Sequence, residues 1–304
     1  LPLSLQFSYD EYREAPSVGF AVQEIAVGRF ASACISLQKS RSVIDNTALA
    51  GLHIWCLSQD NNLSAAQQLL NTAIAEFEVD QHLAYSGAII HEQSGNHQLA
   101  HSLYSDLFAL NGEPMILEAC ARTALASSQS QRCLDCLDQL LLATEVTPKH
   151  LTMRAAAFAQ LRRYSESMAL LAHMLEDWPN DGELLLQTAF VAYDYAAASS
   201  SLELYVDAAI LLRRITELDP QNAAVFLPLA RCYAASGDFN ESTLAFMRCL
   251  ELEPNNVAAS HELSDLYMTY NDKSLAQKIL RQLLNQPISP VARQQTTHKL
   301  SQLD

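Results

Sequence analysis

The chain has 304 residues, a hydrophobic share of 49%, seven cysteines and a formal net charge of −15. That charge disfavours a nucleic-acid partner and mildly favours basic proteins, although it is also an ordinary solubility charge. No apolar run approaches the roughly 20 residues that span a bilayer, and no signal peptide is visible, so membrane insertion is not expected. An odd number of cysteines inside predicted helices fits reduced thiols, so we expect a cytoplasmic protein.

The first residues alternate apolar and polar side chains, from Leu1 to Tyr9, with the period of two that is typical of a strand. A lone strand is unstable. We therefore expect residues 1–13 to form a strand-like or flexible arm that depends on a partner. The chain begins with Leu rather than Met, which leaves open that it is a piece of something longer.

From residue 14 to residue 288, amphipathic stripes predict eight pairs of helices that are joined by short turns. Gly28, Gly95 and Gly237 stand at three of these turns, as expected for the residue that ends a helix. The sixth pair is irregular, because residues 194–203 add seven positions that either lengthen its helices or form a longer loop. A final helix over about 290–302 would form a C-terminal cap within 289–304.

The pairs repeat at a fixed spacing in the sequence. A small residue recurs in each second helix at steps of 33 or 34 residues, with one step of 41: Ala33, Ala66, Ala100, Cys133, Ser167, Ala208, Ser242 and Ala276. Four positions later a large residue follows every time. The first helices carry a small residue as well, with Ile54 as the exception. A small side chain lets two helices approach closely, so this repeat predicts stacked hairpins.

Residues 222–256 show the unit most clearly. The residues at its helix-stripe, turn and terminal positions are Phe226, Leu229, Ala230, Tyr233, Gly237, Phe246 and Pro254. This pattern resembles the tetratricopeptide repeat, a 34-residue helix–turn–helix, although Ser242 stands where that family usually has Ala. The resemblance covers about residues 14–290. It implies an all-α fold, a right-handed α-solenoid of antiparallel helix hairpins, and a non-catalytic scaffold or adaptor that mediates protein–protein interaction.

The solenoid would expose the first helices on a concave groove. Reading the groove positions gives an unusual number of large apolar residues, and such patches tend to be interaction sites. The predicted partner-binding residues are Trp55, Tyr85, Ile89, Glu92, Arg122, Phe190, Tyr193, Leu227 and Arg231. Arg122 and Arg231 would pair with acidic groups of a protein or peptide segment, and Glu92 and Asp265 with basic ones. The alternative is that the chain itself buries these residues.

Catalytic and metal-binding motifs are not apparent. The sequence lacks phosphate-binding, dinucleotide-binding and nucleophile-elbow patterns, so we expect no enzyme activity, no cofactor and no metal. Cys133 and Cys136 form a C-x-x-C without a redox or zinc context, which favours packing. His97 and His101 share a helix face, and we interpret them as a solvated pair. A regulatory or recognition domain of a larger protein, or a secretion or assembly chaperone, remain alternative functions, and the oligomeric state is undetermined.

Overall fold

The computed structural model describes residues 16–41 and 47–303, so the arm predicted at 1–13 lies outside the described residues. All regular secondary structure within those two ranges is α-helical, as expected. The contacts divide the chain into two units, one ending at Leu161 and the other beginning at Arg162. Within each unit, successive helices pack side by side, and short turns join those whose connecting residues the structure describes.

The first unit holds nine described helices, in which odd numbers are the first helices of the predicted pairs and even numbers the second. They are α1 (Pro16–Ala26), α2 (Phe30–Arg41), α3 (Thr47–Gln59), α4 (Leu63–Glu76), α5 (Gln81–Gln93), α6 (His97–Asn111), α7 (Pro114–Ala126), α8 (Ser130–Ala143) and α9 (Pro148–Gln160).

The second unit holds eight described helices and follows the same alternation. They are α10 (Tyr164–Asp177), α11 (Gly182–Ser199), α12 (Leu202–Leu218), α13 (Ala223–Ser236), α14 (Phe239–Leu252), α15 (Val257–Thr269), α16 (Lys273–Leu284) and α17 (Pro290–Gln302). The last of these packs on α16 and buries Ala292 and Thr296.

The turn between α13 and α14 shows how the sequence ends one helix and starts the next. Gly237 has φ +84°, a left-handed conformation that L side chains rarely adopt, and it terminates α13. The carboxylate of Asp238 then accepts a hydrogen bond from the backbone N–H of Glu241 and caps α14. Two adjacent residues therefore reverse the chain without any loop.

The repeated small residues lie where the helices cross. All eight in the second helices have 0% exposure, and so do their counterparts in the first helices. In the seventh pair the contact is direct, because the hydroxyl of Ser242 donates a hydrogen bond of 2.8 Å to the carbonyl oxygen of Ala230. Ser242, the departure from the family pattern, thus satisfies its polar atom inside the crossing.

Ile54 breaks the small-residue rule in the first helices, and the structure gives a reason. Its helix α3 makes a second close approach, to α5, at Gly51. A Cβ atom placed on Gly51 would lie 3.2 Å from the Ser86 hydroxyl oxygen. The smallest residue of α3 is therefore used against α5, while Ile54 itself is fully buried.

The extra residues of the sixth pair lengthen both of its helices. Helix α11 has 18 residues and α12 has 17, whereas α13 and α14 have 14 each. Only Ser200 and Ser201 connect them. Within the second unit, the ring of Tyr195 in the lengthened part of α11 stacks on Tyr164 of α10, with centroids 5.4 Å apart.

Replacing Leu229 by Ala tests the core packing. Leu229 is 5% exposed and belongs to the core of the second unit, so we expect the free energy of unfolding to fall by about 2–5 kcal/mol in urea titrations. Leu244→Ala, at a side chain that is 59% exposed, serves as the matched control and should leave the midpoint nearly unchanged. Equal effects of the two substitutions would contradict the assignment.

Candidate interaction surface

Five of the predicted partner-binding residues lie on first helices of the first unit, and two of them are buried. Tyr85 and Ile89 are 8% and 7% exposed and belong to the core around α5, α6 and α7. The Tyr85 ring packs edge-on against Tyr104 at 5.8 Å, and burial raises its pKa to about 12. For these two positions the alternative of burial by the chain itself therefore applies.

Trp55 is only half-buried. Its ring meets Phe30 edge-on, with centroids 5.6 Å apart. It packs at the margin of two neighbouring cores, one built around α1 to α3 and one around α5 to α8. Trp55 is therefore the one apolar anchor predicted in this unit that keeps part of its side chain accessible.

Glu92 and Arg122 bind each other. The Nε and Nη2 groups of Arg122 donate to the two carboxylate oxygens of Glu92 at 2.5 and 3.0 Å. The hydroxyl of Tyr104 donates to the same carboxylate at 3.0 Å. Hydrogen bonding to Glu92 holds the pKa of the Arg122 guanidinium above its usual value. This network thus joins α5, α6 and α7, and the charges of Glu92 and Arg122 are already paired within the chain.

The other four predicted residues lie in the second unit, and its three apolar ones are more accessible than Tyr85 and Ile89. Phe190 is 40% exposed, and Tyr193 and Leu227 are half-buried against the core. Leu186, one turn before Phe190 in α11, is half-buried too. Because positions four and three apart share a helix face, α11 presents Leu186, Phe190 and Tyr193 as one apolar strip.

Arg231 flanks this strip on α13. It forms a two-pronged ion pair with Glu262 of α15, in which Nε and Nη2 donate at 2.9 and 2.6 Å. The two side chains remain 37% and 35% exposed. Burial raises the pKa of Tyr193, and the positive charge of Arg231 opposes that rise.

Ion pairs between successive first helices are a regular feature of the chain. Besides the two pairs above, Lys149 binds Glu118 at 2.6 Å and Lys299 binds Asp265 at 2.8 Å. The sequence separations are 30, 31, 31 and 34 residues, close to one repeat. Sequence reasoning missed these partners, Glu262 above all, although opposite charges one repeat apart were the signal that could have found them.

His101 is not part of a solvated pair. It is 6% exposed, and its ring Nδ1 lies 3.0 Å from the carbonyl oxygen of Cys120. The expectation for this residue was wrong because position 101 faces α7, and helical spacing alone did not separate that face from the solvent side.

All seven cysteines are free thiols, and Cys133 of the C-x-x-C is fully buried at its helix crossing. The described ranges contain no group of three or more His, Cys, Asp or Glu side chains arranged to hold a metal ion.

Glu92→Gln tests the first-unit network. The substitution keeps the shape but removes the charge that Arg122 and Tyr104 bind, so we expect a loss of about 1–3 kcal/mol in the free energy of unfolding. Chemical denaturation measures it. Glu166→Gln is the control, since Glu166 pairs with Arg163 at the surface, and surface pairs contribute little. An unchanged midpoint for Glu92→Gln would show that the network is dispensable.

The burial of His101 predicts a pH dependence of stability. Burial holds the pKa of His101 below its usual 6.5, so the unfolded state binds a proton more readily than the folded state. Stability is therefore lost as the pH falls through 6.5 toward the folded-state pKa. Urea midpoints at pH 7.5, 6.5 and 5.5 should decline less steeply for His101→Gln than for the parent chain. His173→Gln, at an exposed side chain, should retain the parental slope.

Comparisons with known proteins agree with the helix-pair architecture. No family model matches the sequence. A tetratricopeptide repeat-containing protein of Caenorhabditis elegans, trd-1, is 24% identical over 148 residues, which are 42% of this chain and 19% of that protein. The match therefore spans about a fifth of the relative's length.

Similar solved structures cover more of the chain. A tetratricopeptide repeat protein from Parabacteroides merdae superposes with a TM-score of 0.60 at 16% identity, over 83% of this chain and 98% of its own. The Cut9–Hcn1 hetero-tetramer of APC/C gives 0.54 at 14% identity, over 98% of this chain and 57% of its own. MamA from Desulfovibrio magneticus RS-1 gives 0.50 at 15% identity, over 56% and 93%. At such identities the likeness concerns the fold.

No described helix has the length and apolarity to cross a membrane.

Proposed function

Because the chain folds as a tetratricopeptide-repeat solenoid, we propose that it is a non-catalytic interaction module that binds a segment of a partner protein. The observation that carries this proposal is the apolar strip of the second unit, where Phe190 is 40% exposed between half-buried Leu186 and Tyr193. Partly exposed aromatic and aliphatic side chains on rigid helices are the usual anchors of an interface.

The second unit is a better binding site than the first. In the first unit, Tyr85 and Ile89 lie in the core, and Glu92 and Arg122 neutralise each other in a network with Tyr104. Binding there would require the chain to break its own contacts. The strip on α11 and Leu227 on α13 need no such rearrangement, so the free-energy cost of binding there is smaller.

Arg231 defines the polar edge of this site. A guanidinium has five N–H donors, and the bonds to Glu262 use those on Nε and Nη2. In this proposal the Nη1 group donates a hydrogen bond to a backbone carbonyl or a carboxylate of the partner. The proposed ligand is therefore an extended or helical peptide segment with apolar anchors and an oxygen acceptor beside them.

The fold likeness supports a binding role in general terms. A chain of the APC/C Cut9–Hcn1 hetero-tetramer shares the fold. A recognition domain within a larger protein would use the same face, so one binding experiment tests the feature that both functions share.

Peptide selection tests the site directly. A phage library of random 12-residue peptides, panned on the immobilised chain, should enrich apolar sequences, whose affinity fluorescence anisotropy then measures. Phe190→Ala combined with Leu227→Ala should weaken binding at least about tenfold, because both anchors lose their contacts. Leu244→Ala and Met247→Ala on α14 form the control, since both side chains are exposed and apolar but lie outside the proposed site. Peptides that bind the double variant as tightly as the parent would refute the assignment.

A further inference from the structure

Helix α12 carries an exposed apolar ridge that the proposed peptide site does not use. Leu202, Val206 and Ile210 follow one another at four-residue intervals and are 62%, 45% and 51% exposed. The opposite face of the same helix is buried against α11 and α13 through Ala208, Leu212 and Ile215. The ridge is therefore the outer surface of a helix whose inner surface is already packed.

Charged side chains stand at both ends of this ridge. Glu203 occupies the first turn of α12 and is exposed. Arg213 lies ten positions later, its side chain is 63% exposed, and it is 3.9 Å from the carboxylate of Glu217. That distance leaves the guanidinium weakly engaged, so both end charges are available to a docking surface.

The ridge has the arrangement of a self-complementary surface. An α-helix turns about 100° and rises about 1.5 Å per residue. The centre line of the ridge is the direction opposite the side chain of Ala208. Val206 and Ile210 lie about 20° to either side of this line, and along the helix axis they lie about 3 Å before and after position 208. Glu203 and Arg213 lie about 40° on opposite sides of the same line and about 7.5 Å from the same centre. When a second identical helix packs antiparallel on this face, with the two-fold axis at the level of position 208, Val206 lies level with Ile210 of the other helix, and Glu203 lies level with Arg213.

We propose that α12 packs antiparallel on α12 of a second copy of this chain and makes a two-fold symmetric homodimer. In an isologous interface, if residue i contacts residue j then j also contacts i. Here that symmetry yields two Val206–Ile210 contacts and two Glu203–Arg213 ion pairs between the copies. Helix axes 8–10 Å apart allow the ridge side chains to interdigitate.

The size of the ridge and the charge of the chain set the strength of this dimer. One helix per copy is a small interface, so we infer a reversible dimer in the micromolar range and not a permanent one. Each chain carries a net charge of −15, and the two copies repel at long range. At about 0.15 M salt that repulsion is screened beyond roughly 8 Å, whereas the ion pairs act within that distance.

Sedimentation velocity of the whole chain, from about 1 to 500 μM at physiological salt, tests the proposal. The parent chain should pass from monomer to dimer across this range. Glu203→Arg alone and Arg213→Glu alone should each raise the dimer Kd at least about tenfold, because each places like charges opposite one another. The double variant with both changes should restore the parental Kd, since the exchanged charges pair again.

Matched controls separate the ridge from general charge effects. Glu241→Arg makes the same change in the first turn of α14, and Lys278→Glu reverses a charge at an exposed position of α16; both should leave the Kd unchanged. Circular dichroism checks that every variant remains helical. A chain that stays monomeric to 500 μM, a double variant that fails to recover, or controls that weaken the dimer equally would each overturn the proposal. Peptide binding to the α11 strip is a separate measurement and can succeed or fail independently.

Discussion

The contact on which the whole structure depends is the crossing of two helices at a pair of small side chains. Ala230 and Ser242 show it at atomic detail, where a side-chain hydroxyl of one helix reaches the backbone carbonyl of the other. Such closeness brings the larger neighbours of these residues into contact over a wide area, and Phe246, four positions after Ser242, is 2% exposed. Because each crossing recurs about once per repeat, the chain builds its core from many similar contacts and not from one centre.

The same periodicity governs the charged residues of the first helices. Glu92 with Arg122, and Arg231 with Glu262, are one repeat apart, so stacking the repeats brings them face to face. For the first-unit pair this reduces the capacity for binding, because the charges of Glu92 and Arg122 satisfy each other and contribute little to recognition of another molecule. Of the four predicted residues in the second unit, three are apolar, and Phe190 is the most exposed of these three.

Much of the fold was predictable, since helix pairs follow from the spacing of small and large residues and turns follow from residues such as Gly237. The individual surface assignments were less predictable. Helical spacing places Tyr85 and Phe190 on comparable faces of α5 and α11, yet the former is 8% and the latter 40% exposed. The difference arises from neighbouring helices, because the Tyr104 ring covers Tyr85. His101 illustrates the same limit, since its burial depends on the approach of α7, which no pattern within its own helix reveals.

The longer sixth pair has a consequence for how such a chain can change its length. Compared with the 14-residue helices of the seventh pair, α11 gains four residues and α12 gains three. Either number is close to one full helical turn, so each helix grows without rotating its inward-facing side chains away from their neighbours. Gains of one or two residues would turn the packed faces by about 100° or 200°. Elongation in whole turns is thus the kind of insertion that a stack of helices tolerates, and it allows one pair to extend beyond the rest while the register on either side is kept.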